Sequence, residues 1–307
     1  MRNLGILIFA LALACTPKES KTYETEELED NPIEQVVEDV TDTEETGIQQ
    51  SEVLVWTDAE VQQLDVKGYH TQFVNNGGGL LYSKENFEGL WYYDLQSRSS
   101  LIITDKAGAG YQPQWIDGKI IYQVKARMKY LESFDFDRKM LQSVNEANRS
   151  LTPARYVMEA RDHVSAGLTN DLLGIELKNE RGEKAIINPQ PAGNYISASI
   201  SPNGELLLYE IAGLGGFVAD LSGRTIRELG NVDMPRWVSN SQVVFADSKD
   251  DGMQILESKV FVFDLNSENK QALVVDEVAL FEPSVSQNGK RISAHSSDGK
   301  IYIFNQK

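Results

Sequence analysis

A single cysteine, three histidines and no apolar run long enough to cross a bilayer mark this 307-residue chain. One thiol excludes an intramolecular disulfide and any cysteine cluster for zinc, so packing alone must hold the fold. His70, His163 and His295 form no H-x-x-x-H pair, and no G-x-S-x-G elbow exists to place a nucleophilic serine. Basic residues are scarce as well: 29 Lys and Arg stand against 46 Asp and Glu, for a net charge of −17. Phosphate backbones need the opposite sign, so nucleic acid is not an expected partner. In DSKDDGMQILE, Asp247, Asp251 and Gly252 fall at positions 1, 5 and 6 of a calcium loop, but Lys249 takes a ligand position, so the segment reads as an exposed loop. No metal and no cofactor are expected. What is present is 41% hydrophobic and 9% aromatic residues, enough for one continuous core.

The lone cysteine stands at an informative place. Arg2 gives a short positive start, Leu4 to Leu13 is a ten-residue apolar run, and Leu11-Ala12-Leu13-Ala14-Cys15 closes it with small residues. That order is a secretory signal, too short to span a membrane comfortably. It resembles a bacterial lipoprotein signal, with Ala12 where that family usually has leucine. The resemblance implies that Cys15 becomes the lipidated first residue of the mature chain. Residues 1–15 are then the signal and the membrane is one partner.

Charge is unevenly spread. Residues 16–52 hold thirteen acids and two lysines, a net of −11; removing that and the +1 of Arg2 leaves −7 for residues 53–307. A segment so charged, with few aromatics, cannot bury enough apolar surface to offset its ordering entropy. A disordered acidic tether is expected over 16–52, reaching on the order of 30 Å as a flexible coil.

From residue 53 onward the chain repeats one strand-turn-strand phrase. YHTQFVNNGGGLLY, YQPQWIDGKIIY, VSAGLTNDLLGIE, YISASISPNGELLLY, MPRWVSNSQVVF and FEPSVSQNGKRIS begin at Tyr69, Tyr111, Val164, Tyr195, Met234 and Phe281. Each turns at Asn or Asp, four times followed by Gly, and a type I′ hairpin with φ > 0 at both central residues is expected there. A unit of this length must stack on copies of itself, and a repeat of about 42 residues is propeller-blade length.

Third strands are read in LWYYDLQS, FVADLSG and VFVFDLNS, with LESFDFD and IYIFN as weaker copies. Fourth strands follow in SLIITD, KMLQSV, KAIINP, TIRELG and QALVV. The last unit ends after IYIFNQK without a fourth strand, while Val61 to Val66 stand unassigned at the other end. An all-β, six-bladed β-propeller is therefore expected, closed by the N-terminal strand in the last blade. Blade three has no glycine in its turn, and its uneven spacing leaves five or seven blades as alternatives. Phe73, Trp91, Tyr93, Trp115 and Trp237 recur at fixed repeat positions and are expected to pack between blades.

QPQWIDGKIIY, SISPNGELLLY, MPRWVSNSQVVF and EPSVSQNGKRISAH resemble the Pro-x-Trp-Ser-x-Asp-Gly-Lys repeat of TolB-like, WD40-like propellers, also found beside prolyl oligopeptidase-type enzymes. The resemblance spans residues 53–307. TolB itself carries a separate α/β domain and the peptidases a hydrolase domain; neither fits within this chain. The resemblance implies a non-catalytic, protein-binding module of the cell envelope, held by its lipid in the periplasm or at the surface. Thr16, rather than Asp, after the cysteine points to the outer membrane.

Propeller strands are consumed by packing, so loops at the ring's mouth must do the binding. Candidates between second and third strands are Lys125, Arg127, Lys129 and Tyr130 in blade two, and Asp250, Asp251 and Met253 in blade five. The alternative is an enzyme or small-ligand receptor of the sugar or lactone type, using a cation in the central channel. A third reading makes the acidic tail the working part of a structural envelope protein.

Overall fold

The structure, a computed structural model, describes residues 55–116, 118–138, 140–144, 164–191, 193–251, 253 and 255–307. Cys15, the expected signal and the expected tether lie outside the described residues. Among the described residues, twenty-three strands fall into six small antiparallel sheets arranged as a ring. The first strand, β1 (Glu60–Lys67), belongs to the last sheet. Blade one holds β2 (Tyr69–Val74), β3 (Gly79–Ser83), β4 (Glu88–Asp94) and β5 (Ser99–Ala107). Blade two holds β6 (Gln114–Ile116), β7 (Lys119–Val124), β8 (Tyr130–Asp135) and β9 (Met140–Val144). Blade three holds β10 (Ser165–Leu168), β11 (Ile175–Lys178) and β12 (Lys184–Ile187). Blade four holds β13 (Tyr195–Ile200), β14 (Leu206–Ile211), β15 (Gly215–Asp220) and β16 (Thr225–Gly230). Blade five holds β17 (Asp233–Trp237), β18 (Gln242–Asp250), β19 (Ile255–Asp264) and β20 (Lys270–Leu273). Blade six joins β21 (Leu280–Val285), β22 (Arg291–Ser296) and β23 (Lys300–Asn305) to β1.

Closure occurs as expected. Val61, Gln62 and Gln63 lie opposite Phe304, Ile303 and Tyr302. Leu64 is then buried with Phe73, Leu80, Ile301 and Ile303, a cluster that joins blades one and six. Trp56 packs into the core of blades five and six, and its backbone N–H donates to Gln271 Oε1 at 2.9 Å. Inner strands are covered on both faces by neighbouring blades, so β14 is buried from Leu207 to Ile211, whereas the outermost β16 alternates half-buried and exposed residues. Phe73, Tyr93 and Trp237 are buried; Trp91 packs half-buried against the cluster of Phe73 and Tyr93, and Trp115 half-buried against that of Tyr92 and Tyr122.

Blade three corrects the sequence reading. VSAGLTNDLLGIE does form a hairpin, but as the second and third strands of its blade. Between β3 and β4, Phe87 O accepts from Gly110 N, on the connector entering the next blade, at 3.2 Å; between β22 and β23, Gly299 O accepts from Gly68 N at 2.8 Å. Leu172 O, between β10 and β11, accepts from Tyr195 N at 2.8 Å in the same way. All three acceptor residues lie in the left-handed region, with φ of 59°, 78° and 61° for Phe87, Gly299 and Leu172. KAIINP supplies the fourth strand, β12, as expected. No strand among the described residues stands at the innermost position of this blade.

The turns also differ in type. Among the phrase turns whose two central residues are both described, Asn76-Gly77 alone puts both at positive φ, 52° and 85°. In Ser201-Pro-Asn-Gly204 and Ser286-Gln-Asn-Gly289 glycine alone is left-handed, and serine closes the loop. Ser286 Oγ donates to Asn288 Oδ1 at 2.8 Å and accepts from Arg291 N at 2.9 Å; Ser201 does the same with Asn203 and Leu206 at 2.6 and 2.9 Å. Ser296 and Thr169 repeat the arrangement with Asp298 and Asp171. The side chain takes a role that a type I′ turn leaves to backbone, so two left-handed residues are not needed.

Candidate functional site at the channel mouth

First strands of neighbouring blades lie side by side, β2 with β21, β21 with β17 and β17 with β13. Where such strands begin, a cavity of about 710 Å³ opens, lined by residues of blades two to six. That volume is within the range of small-ligand and side-chain pockets. The way these strands begin is unusual. His70, Gln112, Met234 and Glu282 all adopt left-handed backbone, with φ between 49° and 54°, at the entry to four different blades. In β2, β17 and β21 the pairing register shifts at the same point. A non-glycine residue in this region costs on the order of 1–2 kcal/mol, and such strain persists where it aims a side chain. Proline follows three of the four, at Pro113, Pro235 and Pro283.

Two carboxylate centres result. Glu282 Oε2 lies 2.7 Å from His70 Nδ1 and 3.4 Å from His295 Nε2. An ionised carboxylate only accepts, so His70 Nδ1 carries the shared proton. His295 directs Nδ1 to the Ser296 carbonyl at 3.0 Å, so both of its ring nitrogens face acceptors. His70 stacks on Phe87 at 3.8 Å, and His295 lies between Tyr69 and Phe281 at 5.0 and 5.9 Å. Burial pushes the Glu282 carboxyl up, but the hydrogen bonds and charges of His295 and His70 outweigh it and bring it down to about 2.

Glu210, on β14, is the second centre. It is buried, with 8% of its surface exposed, and accepts from Ser197 Oγ at 3.3 Å. Burial pushes it up to about 7, reinforced by Asp233 and opposed by Arg236, Ser197 and the Met234 backbone N–H. Its two acid centres thus sit in opposite environments within one cavity. Among the described residues no group of three or more His, Cys, Asp or Glu could hold a metal ion.

The loop residues expected from sequence stand beside this cavity rather than in it. Lys125, Arg127 and Lys129 are exposed and Tyr130 is half-buried at the start of β8. Lys125 N donates to Ala107 O at 2.8 Å, which ties their loop to the connector that ends at Tyr111 in the cavity wall. Asp250, Asp251 and Met253 are exposed, and Ile255, which follows them, lines the cavity. Asp247, of the calcium-like segment, pairs with Lys270 at 2.8 Å. Neither Glu210 nor Glu282 stood out in the sequence. The repeated residue before proline in QP, MP and EP was the available signal, since it marks three of the four strained positions.

No family model matches the chain, and no curated protein matches its sequence. Solved structures do match. One chain, from a structure titled "Crystal Structure of Mitotic Checkpoint Complex", is similar at a TM-score of 0.43 and 9% identity, over 89% of this chain and 98% of that one. The likeness is one of fold alone.

Proposed function

We propose that this chain is a TolB-like binding propeller of the cell envelope, without catalytic activity, whose channel mouth receives part of a protein partner. The supporting observation is the cavity, where three of the strained strand entries, at Gln112, Met234 and Glu282, converge on one opening. Propellers host both enzymes and binding modules, so the fold does not choose between them. We read the site as a binding surface because its walls join apolar and aromatic side chains to a few polar groups. In this reading Cys15 carries the lipid, residues 16–52 give reach, and the loops at 125–130 and 250–253 form the rim. Two or more acyl chains make such anchoring stable.

The experiment is capture from the envelope fraction of the producing cell with the purified full chain. Tyr111→Arg and Ile255→Arg place charge at the rim, where both side chains are exposed; Ile186→Arg does so on the outer strand β12. Loss of the captured protein with the rim variants but not with Ile186→Arg supports the reading. Equal capture by all three rejects it. Mass spectrometry of the N-terminal peptide tests the anchor, since an unmodified Cys15 removes the envelope assignment.

A further inference from the structure

Resting on that reading, we infer that the channel mouth recognises a cationic group of the partner, the guanidinium or ammonium of a basic side chain or of a chain N-terminus. The cavity is rich in acceptors. Glu210, Asp233 and Glu282 face it, against one guanidinium, Arg236, and the imidazole of His295. Arg236 spends Nη1 on the Pro235 carbonyl of its own strand at 2.8 Å. Asp233 is exposed, and among the described residues its carboxylate makes no hydrogen bond or ion pair. Gln112 Oε1 is buried and unpartnered among them. An unpartnered buried carbonyl is destabilising, and a ligand N–H removes that cost.

The walls suit a long basic side chain. Tyr111, Phe281, Met234, Ile196 and Leu172 offer apolar and aromatic surface for its stem, and aromatic faces attract cations. The chain's own acidic segment, with a net charge of −11 over residues 16–52, has the wrong sign to be the occupant. A basic segment of another protein has the right one.

Glu210 makes binding proton-linked. Facing it are Asp233, Arg236, Ser197 and the Met234 N–H, while His70 and His295 pair with Glu282. A cation beside Glu210 favours its ionised form, so binding releases a proton. With a carboxyl titrating at about 7, affinity rises up to about tenfold between pH 6 and pH 8.

The test is calorimetry on the purified full chain with five probes: the N-acetyl methylamides of arginine, lysine, norleucine and glutamate, and alanyl-alanine amide, which offers only an N-terminal ammonium. We expect a cationic probe to bind about tenfold or more tightly than norleucine, a preference of one charged contact. Which cationic probe wins separates side chain from N-terminus. Asp233→Asn and Glu210→Gln should each weaken that probe about fivefold or more, with unchanged circular dichroism, and Asp276→Asn, outside the cavity, should not. The pH dependence should vanish in Glu210→Gln. Equal binding of norleucine, or variants that bind as the parent does, overturns the inference. Rim variants that lose the partner while the probes show no charge preference overturn the inference and leave the proposed function standing. Rim variants without effect overturn the proposed function, whatever the probes do.

Discussion

His70 Nδ1 lies 2.7 Å from Glu282 Oε2 although the two residues are 212 positions apart, on the first and last blades. The contact belongs to the seam where the ring closes. Thr71 Oγ1 meets Ser293 Oγ at 2.9 Å along the same seam, and Arg291 Nη1 donates to Gly77 O at 3.0 Å. Side chains at the channel thus help to hold the ring shut.

Glu282→Gln should destabilise the propeller by about 2–3 kcal/mol at pH 7, because two imidazoles lose a charged acceptor. The Glu282 carboxyl is depressed from 4.5 to about 2, so its stabilisation is present above pH 4.5 and fades as pH falls toward 2. Urea midpoints of parent and variant should therefore converge in acid. A constant gap would assign the loss to packing.

Glu210 has the opposite sign. Its carboxyl is raised from 4.5 to about 7, so the folded chain holds a proton that the unfolded chain releases. Stability should fall as pH rises through that window, by roughly 1–3 kcal/mol. Glu210→Gln should be near neutral at pH 5 and stabilising at pH 8. Paired denaturation curves at the two pH values measure it.

Leu172 occupies in blade three the place that Gly299 holds in blade six, at φ of 61° and 78°. Leu172→Gly should stabilise by about 1 kcal/mol, the relief of left-handed strain at a half-buried side chain. Gly299→Ala should destabilise, because its Cβ would sit 3.1 Å from the Tyr69 ring as well as in strained backbone. Thermal midpoints of both variants compare the two sites directly.

Glu60 and Asn305 are paired across β1 and β23. In a Cys15→Ser background, Glu60→Cys with Asn305→Cys should oxidise to an internal disulfide. It should raise stability by about 2–4 kcal/mol through loop closure. A chain that stays reduced would contradict the closure.

The blade count and the closing strand were legible because Asn-Gly and Asp-Gly turns, period-two alternation and a missing last strand all agree. LWYYD, FVAD and VFVFD mark β4, β15 and β19 by their terminal Asp, whose carboxylate caps the next turn; Asp94 Oδ1, for one, accepts from Ser97 N at 2.7 Å. Blade three was misread by one strand because VSAGLTNDLLGIE looks like any hairpin, and position in a blade is set by neighbouring blades. The turn type was misread because the Ser201 and Ser286 hydroxyls close their loops without a second left-handed residue. The channel centre was hidden for a different reason: His70 is 212 positions from Glu282 and meets it only once the ring closes, and Glu210 lines the same cavity from another blade.

The proposed partner sits at the channel mouth. Photo-crosslinking with benzoylphenylalanine at positions 111 and 255, against 186 and 226 on the outer strands, tests this in the full chain with its envelope fraction. One shared crosslinked band from positions 111 and 255, with none from 186 and 226, is the predicted result. Crosslinks from the outer strands, with an unmodified mouth, would contradict it.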